Sequence, residues 1–198
     1  MRAFGVVLHD DAVAVLASWQ APDAEQERLR VLYLRHLADR DDAVYRSCRP
    51  DHLTASALVV STEGDHVVLT KHRKAGLWLQ TGGHCEPGDQ TLAGAAMREA
   101  TEESGIAGLS IDPVPVLLSR HEVPFCGPVQ PAHHLDVQFV VVAPPGAVPE
   151  ISDESDALAW WPAESLPEPT DQDVRDLIAA ATRRRRGTPG TAPRGGTR

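Results

Sequence analysis

The reading of this chain starts from Gly82-Gly83-His84-Cys85-Glu86-Pro87-Gly88-Asp89 and, after a run of small residues, Arg98-Glu99-Ala100-Thr101-Glu102-Glu103-Ser104-Gly105-Ile106. A glycine-rich loop runs into a segment that ends on Gly105, a normal place for a helix to stop. The spacing predicts a helix over residues 91–104, with Thr91 or Asp89 as N-cap and a core stripe of Ala93, Met97 and Ala100, with Ala96 beside them. Glu99, Glu102 and Glu103 then stand at i, i+3 and i+4 on one face. Like charges so placed destabilise a helix by about 0.2–0.5 kcal/mol per pair. A cation among the carboxylates would remove that cost, and all-oxygen donors select Mg2+, or Mn2+ in its place, over Zn2+. Three glutamates taken alone are more often a solvated acidic face, so the surrounding frame has to decide.

That frame resembles a known family. Gly83-x5-Asp89-x8-Arg98-Glu99-Ala100-x-Glu102-Glu103-x-Gly105-Ile106 is similar to the Nudix box, Gly-x5-Glu-x7-Arg-Glu-U-x-Glu-Glu-x-Gly-U, where U is aliphatic. Its second half matches apart from a small Ala100. Its first half departs twice: Asp89 replaces a Glu, and one extra residue precedes Arg98. In the family that acidic residue braces the Arg. The resemblance implies an α/β fold, a Nudix-like α/β/α sandwich around a mixed sheet. It also implies hydrolysis of a diphosphate linkage in a nucleoside-diphosphate-X type or related small phosphorylated compound. By the same resemblance Arg98, Glu99, Glu102 and Glu103 are the catalytic set. Glu102 and Glu103 are the principal metal ligands, joined by Glu99, the Gly83 carbonyl and a loop carboxylate, Glu154. Asp153 and Asp156 compete with Glu154, and Asp136 is a weaker candidate for the same part.

Working outward, residues 54–61, 67–70, 77–79, 114–120, 134–143 and 158–161 read as strands, and 171–182 as a last amphipathic helix. These fit a Nudix domain over residues 54–182. Residues 1–50 read as a helical extension packed on that domain: a short helix capped by Asp10 or Asp11 and running through Ala17, then one from Ala24 to Leu37. So short a segment could hardly sustain a core of its own. Residues 183–198 read as a disordered Arg-rich tail.

Four basic residues, Lys71, His72, Arg73 and Lys74, sit just ahead of the glycine loop. Arg73 and Lys74 are candidates to grip substrate phosphate, against the alternative of a solvated hairpin end. Glu86 is a candidate for a substrate hydroxyl or a water, against plain loop solvation. Adjacent His133 and His134 point to opposite faces of a strand, which argues against joint ligation and leaves His134 as the substrate-side candidate. Trp78, Trp160 and Trp161 read mainly as core, with base stacking as the alternative.

Composition narrows the class. The 198-residue chain carries a net charge of −9; with the six arginines of the tail set aside the remainder carries −15. Such a body disfavours nucleic acid as partner. No apolar run is long enough to span a bilayer, and Asp10 and Asp11 interrupt the only segment resembling a signal peptide. Cys48, Cys85 and Cys126, widely spaced and without Cys-x-x-Cys pairing, fit the reducing cytoplasm, free packing thiols and no structural zinc. The N-terminal helices are candidates for shaping the pocket or for an oligomer interface, a homodimer included. Two other functions stay open. One is a ligand-sensing Nudix-like module, suggested by the altered first half of the box. The other is an isoprenoid-diphosphate isomerase, which needs a catalytic thiol, for which Cys85 is the candidate, and a further histidine metal set.

Overall fold

The computed structural model describes residues 4–73, 75–124, 126–151 and 155–187. Four helices, α1 (Phe4–Ser18), α2 (Ala24–Asp39), α3 (Leu92–Ser104) and α4 (Gln172–Gly187), pack on a seven-stranded mixed sheet. Its strands are β1 (His52–Val60), β2 (His66–His72), β3 (Trp78–Leu79), β4 (Thr81–His84), β5 (Ser110–Glu122), β6 (His133–Val142) and β7 (Ser155–Pro162). The expected α/β sandwich is the fold.

β1 and β6 form the parallel centre, paired from His52↔His134 to Val60↔Val142. On its other edge β1 meets β2 at Val59 and Val60, then β4 from Thr54 to Ala57, because β2 diverges to pair with β3 and β7. Side chains alternate across each strand, so β1 and β6 each send one set to either face. Leu53, Ala55, Ala57, Val59, Leu135, Val137, Phe139 and Val141 join a core with α1, α2 and α3. Leu58, Val60, Val140 and the α4 residues Val174, Leu177 and Ile178 form a second core on the opposite face.

The N-terminal helices belong to the first core. Leu8, Ala12 and Leu16 of α1 and Tyr33 and Leu37 of α2 are buried in it beside Leu92, Ala95 and Ala96. α2 also closes the outer edge of the sheet. The Gln26 amide donates to Leu118 O at 3.0 Å and accepts from Leu118 N at 2.7 Å, and Tyr33 Oη donates to Ser119 O at 2.6 Å. Side chains thus take the place of a missing neighbour strand along β5.

Several boundaries differ from expectation. α1 starts at Phe4, so Asp10 and Asp11 lie inside it. Asp11 caps a different helix, accepting the Leu92 N–H of α3 at 2.8 Å. The stripe of α3 is turned slightly: Leu92, Ala95, Ala96, Ala100 and Ser104 are buried, while Ala93 and Met97 flank it. The expected tail is helical up to Gly187, because Arg184 pairs with Asp112 at 2.8 Å and donates to Val114 O and Pro115 O. Arg185 similarly reaches Thr62 O. Trp78 and Trp161 pack edge to face in the second core and Trp160 packs against the first, so all three tryptophans serve packing. No helix among the described residues is long and apolar enough to cross a membrane.

Candidate active site

β4 and α3 build the site between them. Thr91 caps α3 through the Gly94 N–H at 2.9 Å, and Gly105 ends it in a left-handed conformation, φ +66°. The two glycines of β4 face opposite ways. A Cβ on Gly82 would lie 2.2 Å from Ser56 Cβ, so the absence of a side chain lets β4 approach β1. A Cβ on Gly83 would lie 2.8 Å from Glu99 Oε1, so that glycine makes room for a carboxylate.

Arg98 organises the face. Its five N–H donors are all engaged: Nε and Nη2 with Asp89 Oδ1 and Oδ2 (3.2 and 3.0 Å), Nη2 with His84 O (3.1 Å), and Nη1 with Glu99 Oε1 and Glu102 Oε2 (2.9 and 3.1 Å). Asp89 therefore braces Arg98 from one residue further away than the family pattern has it. The two-point pairing is largely sheltered, with the Asp89 side chain 8% exposed. Glu99 and Glu102 meet at a single guanidinium nitrogen. Glu103 comes to the same loop, its Oε2 accepting the Gly82 N–H at 3.3 Å.

Burial pushes the Glu99 carboxyl up from its ordinary range, Arg98 pulls it down, and the nearby charges of Glu102 and Glu86 push it up again. A carboxylate desolvated among like charges and facing a position with no Cβ is suited to a cation. The donors are all oxygen, so the set fits a hard divalent ion. Gly83, Arg98, Glu99, Glu102 and Glu103 are thus assembled together. Glu86 stays in the loop with its carboxylate near Glu99, and its N–H is bonded to Asp89 Oδ2 at 2.8 Å. Arg73 is exposed and paired with Asp156 at 3.0 Å. Lys74, Asp153 and Glu154 lie outside the described residues.

Behind β4, on the sheet face turned away from α3, lies a polar strip that the sequence reading missed. His52, Thr54 and Ser56 of β1 pair across to His134, Asp136 and Gln138 of β6. The Asp136 carboxylate is buried and accepts from Thr54 Oγ1 (2.9 Å), Ser56 Oγ (2.6 Å) and Gln138 Nε2 (3.1 Å), so it is committed to this network. Three buried polar atoms here have no partner: Gln80 Oε1, His134 Nε2 and Gln138 Oε1. Such atoms are costly without a ligand or water. The signal was present as a period-two polar pattern, 52-54-56 and 134-136-138, in otherwise apolar strands.

His133, by contrast, faces Asp51 at 3.1 Å on the other side of β6, so the neighbouring histidines do diverge. The reading of the cysteines as scattered packing thiols holds for Cys85, buried in the first core with its thiol pushed up to about 12 by burial. Cys126 is likewise free and buried, but it is set among histidines. That thiol lies 3.4 Å from His84 Nε2 and 3.6 Å from His52 Nε2, because the β5–β6 loop folds back over β1 and β4.

The geometry defines a Nudix-type site: a glycine strand, an Arg brace and a carboxylate face on one helix. A model of the NUDIX domain matches residues 50–181, and the chain belongs to the Nudix family. Solved structures agree in fold. A NUDIX-family hydrolase from Clostridium perfringens is 25% identical, covering 66% of this chain and 94% of its own, with a TM-score of 0.51. The binary complex of a C. elegans Ap4A hydrolase is 17% identical, covering 69% and 98%, with a TM-score of 0.57. The NUDIX domain of Shewanella oneidensis NrtR, complexed with ADP ribose, is 19% identical, covering 76% and 96%, with a TM-score of 0.52. No curated protein matches the chain.

Proposed function

We propose that this chain hydrolyses the diphosphate linkage of a nucleoside-diphosphate-X compound or a related nucleotide derivative. Mg2+, or Mn2+, would be held by Glu99, Glu102 and Glu103 with the Gly83 carbonyl. The observation that carries this reading is the convergence of Glu99 and Glu102 on Arg98 Nη1 beside the open Cβ position of Gly83. When bound, the ion supplies neutralisation of the diphosphate oxygens and Lewis-acid activation of water. Arg98 holds the carboxylates and keeps the His84 carbonyl fixed, so the loop is organised before substrate arrives. The Ap4A hydrolase and the ADP-ribose-bound domain above, whose ligands are both nucleotide diphosphates or longer, support that substrate class. Glu154 is proposed as a further metal carboxylate, and Arg73 and Lys74 as phosphate contacts. The unpaired cysteines favour a cytoplasmic setting, and a homodimer is an allowed assembly.

The test is release of phosphate or nucleoside monophosphate from a panel of nucleoside-diphosphate sugars, dinucleotides, oxidised nucleotides and ADP-ribose with Mg2+. Glu103→Gln is expected to abolish turnover while the fold persists. Unchanged turnover would refute the site. Tight binding without turnover by the unaltered chain would favour a sensing module, and a product of unchanged mass would indicate isomerisation. The burial of Cys85 in the core weighs against the latter, since it pushes the thiol up to about 12 and disfavours the thiolate.

A further inference from the structure

We propose that His52, His84, Cys126 and His134 form a second metal site, for a zinc-class transition ion, on the sheet face opposite the glutamates. Four elements supply it: β1 gives His52, β4 His84, β6 His134, and the β5–β6 loop Cys126. The register puts the three histidines on one face, since His52 pairs with His134 and His84 pairs with Thr54, two residues from His52. Their ring centroids are 4.9–5.1 Å apart, and the four donor atoms all lie within 4.8 Å of one another. A tetrahedral zinc with Zn–N of about 2.05 Å and Zn–S of about 2.3 Å would separate sulfur from nitrogen by about 3.6 Å. Sγ stands 3.6 Å from His52 Nε2 and 3.4 Å from His84 Nε2.

Hydrogen bonding alone leaves this cluster unsatisfied. His52 Nδ1 is 3.2 Å from the Cys48 carbonyl, so Nδ1 carries the proton and donates, which leaves the Nε2 lone pair facing the thiol. The Cys126 thiol can donate to His52 Nε2 and accept from His84 Nε2, but that exhausts its one proton. His134 Nε2 has no partner in either tautomer. Arg49 Nη1 donates to the Cys126 carbonyl and lies 3.9 Å from Sγ, which fixes the thiol-bearing loop against β1. His121 stacks edge-on to His134 at 5.4 Å and bonds to Ser119, outside the donor set.

Three imidazoles and a thiolate select zinc or a similar ion over magnesium. With all four positions filled by protein, the site is closed and structural in kind. It would pin the β5–β6 loop to β1, β6 and β4. It would also steady His84, whose carbonyl Arg98 holds from the other side.

The experiment uses the full chain, purified from zinc-supplemented medium and dialysed against metal-free buffer. Elemental analysis is expected to show about one zinc per chain, retained in the Glu102→Gln/Glu103→Gln double variant. Cobalt exchanged into the site is expected to show a thiolate-to-cobalt charge-transfer band that Cys126→Ser abolishes. Losing one of four ligands weakens zinc affinity by about 100-fold or more. Should Cys126→Ser fail to fold, Cys126→His keeps four donors and is expected to bind zinc without the charge-transfer band. A folded wild-type chain that takes up neither zinc nor cobalt overturns the proposal. So does zinc that is lost with the glutamates but kept in His134→Ala.

Discussion

Alanine at Gly82 and at Gly83 is expected to fail in different ways, and the difference follows from which neighbour each new methyl would meet. At Gly83 the added carbon would sit 2.8–2.9 Å from the Glu99 carboxylate. Ordinary contact is about 3.5–4.0 Å, so the carboxylate has to retreat by about 0.6–1 Å. The obstacle is the end of a flexible side chain, and the fold gives way cheaply, by under about 1 kcal/mol. The site does not, because Glu99 Oε1 would leave its 2.9 Å contact with Arg98 and its convergence with Glu102. A misplacement of about 1 Å in a catalytic group costs on the order of 100-fold in rate. At Gly82 the methyl would meet Ser56 Cβ at 2.2 Å and Ser56 Cα at 2.7 Å, part of the β1 backbone. Strands β1 and β4 must then separate, at the upper end of the about 1–3 kcal/mol typical of overpacking. For a chain of this size about 3 kcal/mol lowers Tm by roughly 6–12 °C. Thermal unfolding and steady-state turnover of both variants separate the two effects. Wild-type kcat in Gly83→Ala would refute the placement of Glu99, and an unchanged Tm in Gly82→Ala would refute the close pairing of β4 with β1.

Two further predictions concern the N-terminal helices. Asp11→Ala removes the acceptor of the Leu92 N–H and is expected to cost about 1 kcal/mol, measured by denaturant unfolding, whereas Asp11→Asn keeps an acceptor. Burial raises the Asp11 carboxyl above its ordinary value, with the Leu92 N–H opposing, so folding favours its protonated form. Its contribution is complete below the unfolded value and is lost as pH rises through the raised one; the stability of wild type relative to Asp11→Asn should therefore fall from acid to neutral pH. Gln26→Ala strands the Leu118 N–H and C=O on the edge of β5 and is expected to cost about 2 kcal/mol or more. Gln26→Glu, which keeps the acceptor but loses the donor, should be comparably unstable in the same assay.

What the sequence disclosed tracks what local physics controls. α3 was legible because its cap, its small-residue stripe and its Gly105 stop are all local signals, and the carboxylate face followed from helical spacing. β4 was not legible: Thr81-Gly82-Gly83-His84 has little strand propensity, and what makes it a strand is the space its glycines leave beside β1. The start of α1 was misplaced because Asp11 looks like a cap and is one, but for a helix some eighty residues away. The end of α4 was misplaced because isolated arginines give no hint that Asp112 and the β5 carbonyls wait for them. Cys126 was invisible to spacing rules for a related reason: its neighbours come from three separate strands, and motif arithmetic sees only ligands close in sequence.

The alternation of β4 explains how one short strand serves two unlike surroundings. Gly83 turns to α3 and leaves room for Glu99; His84, the next residue, turns to the opposite face, among His52, His134 and Cys126. The sheet between them keeps the helix glutamates on one side and the histidine–cysteine group on the other. Ions sort themselves by that chemistry, since carboxylates suit magnesium while imidazoles and thiolate suit zinc. Arg98 reaches across the divide, bonding Glu99 and Glu102 with one nitrogen and the His84 carbonyl with another. Anything that shifts His84 therefore shifts the carbonyl on which Arg98 rests, and with it the carboxylates it gathers. With a metal bound there, the proposed hydrolytic site would be held in register from behind, by a strand whose far side is anchored independently of substrate.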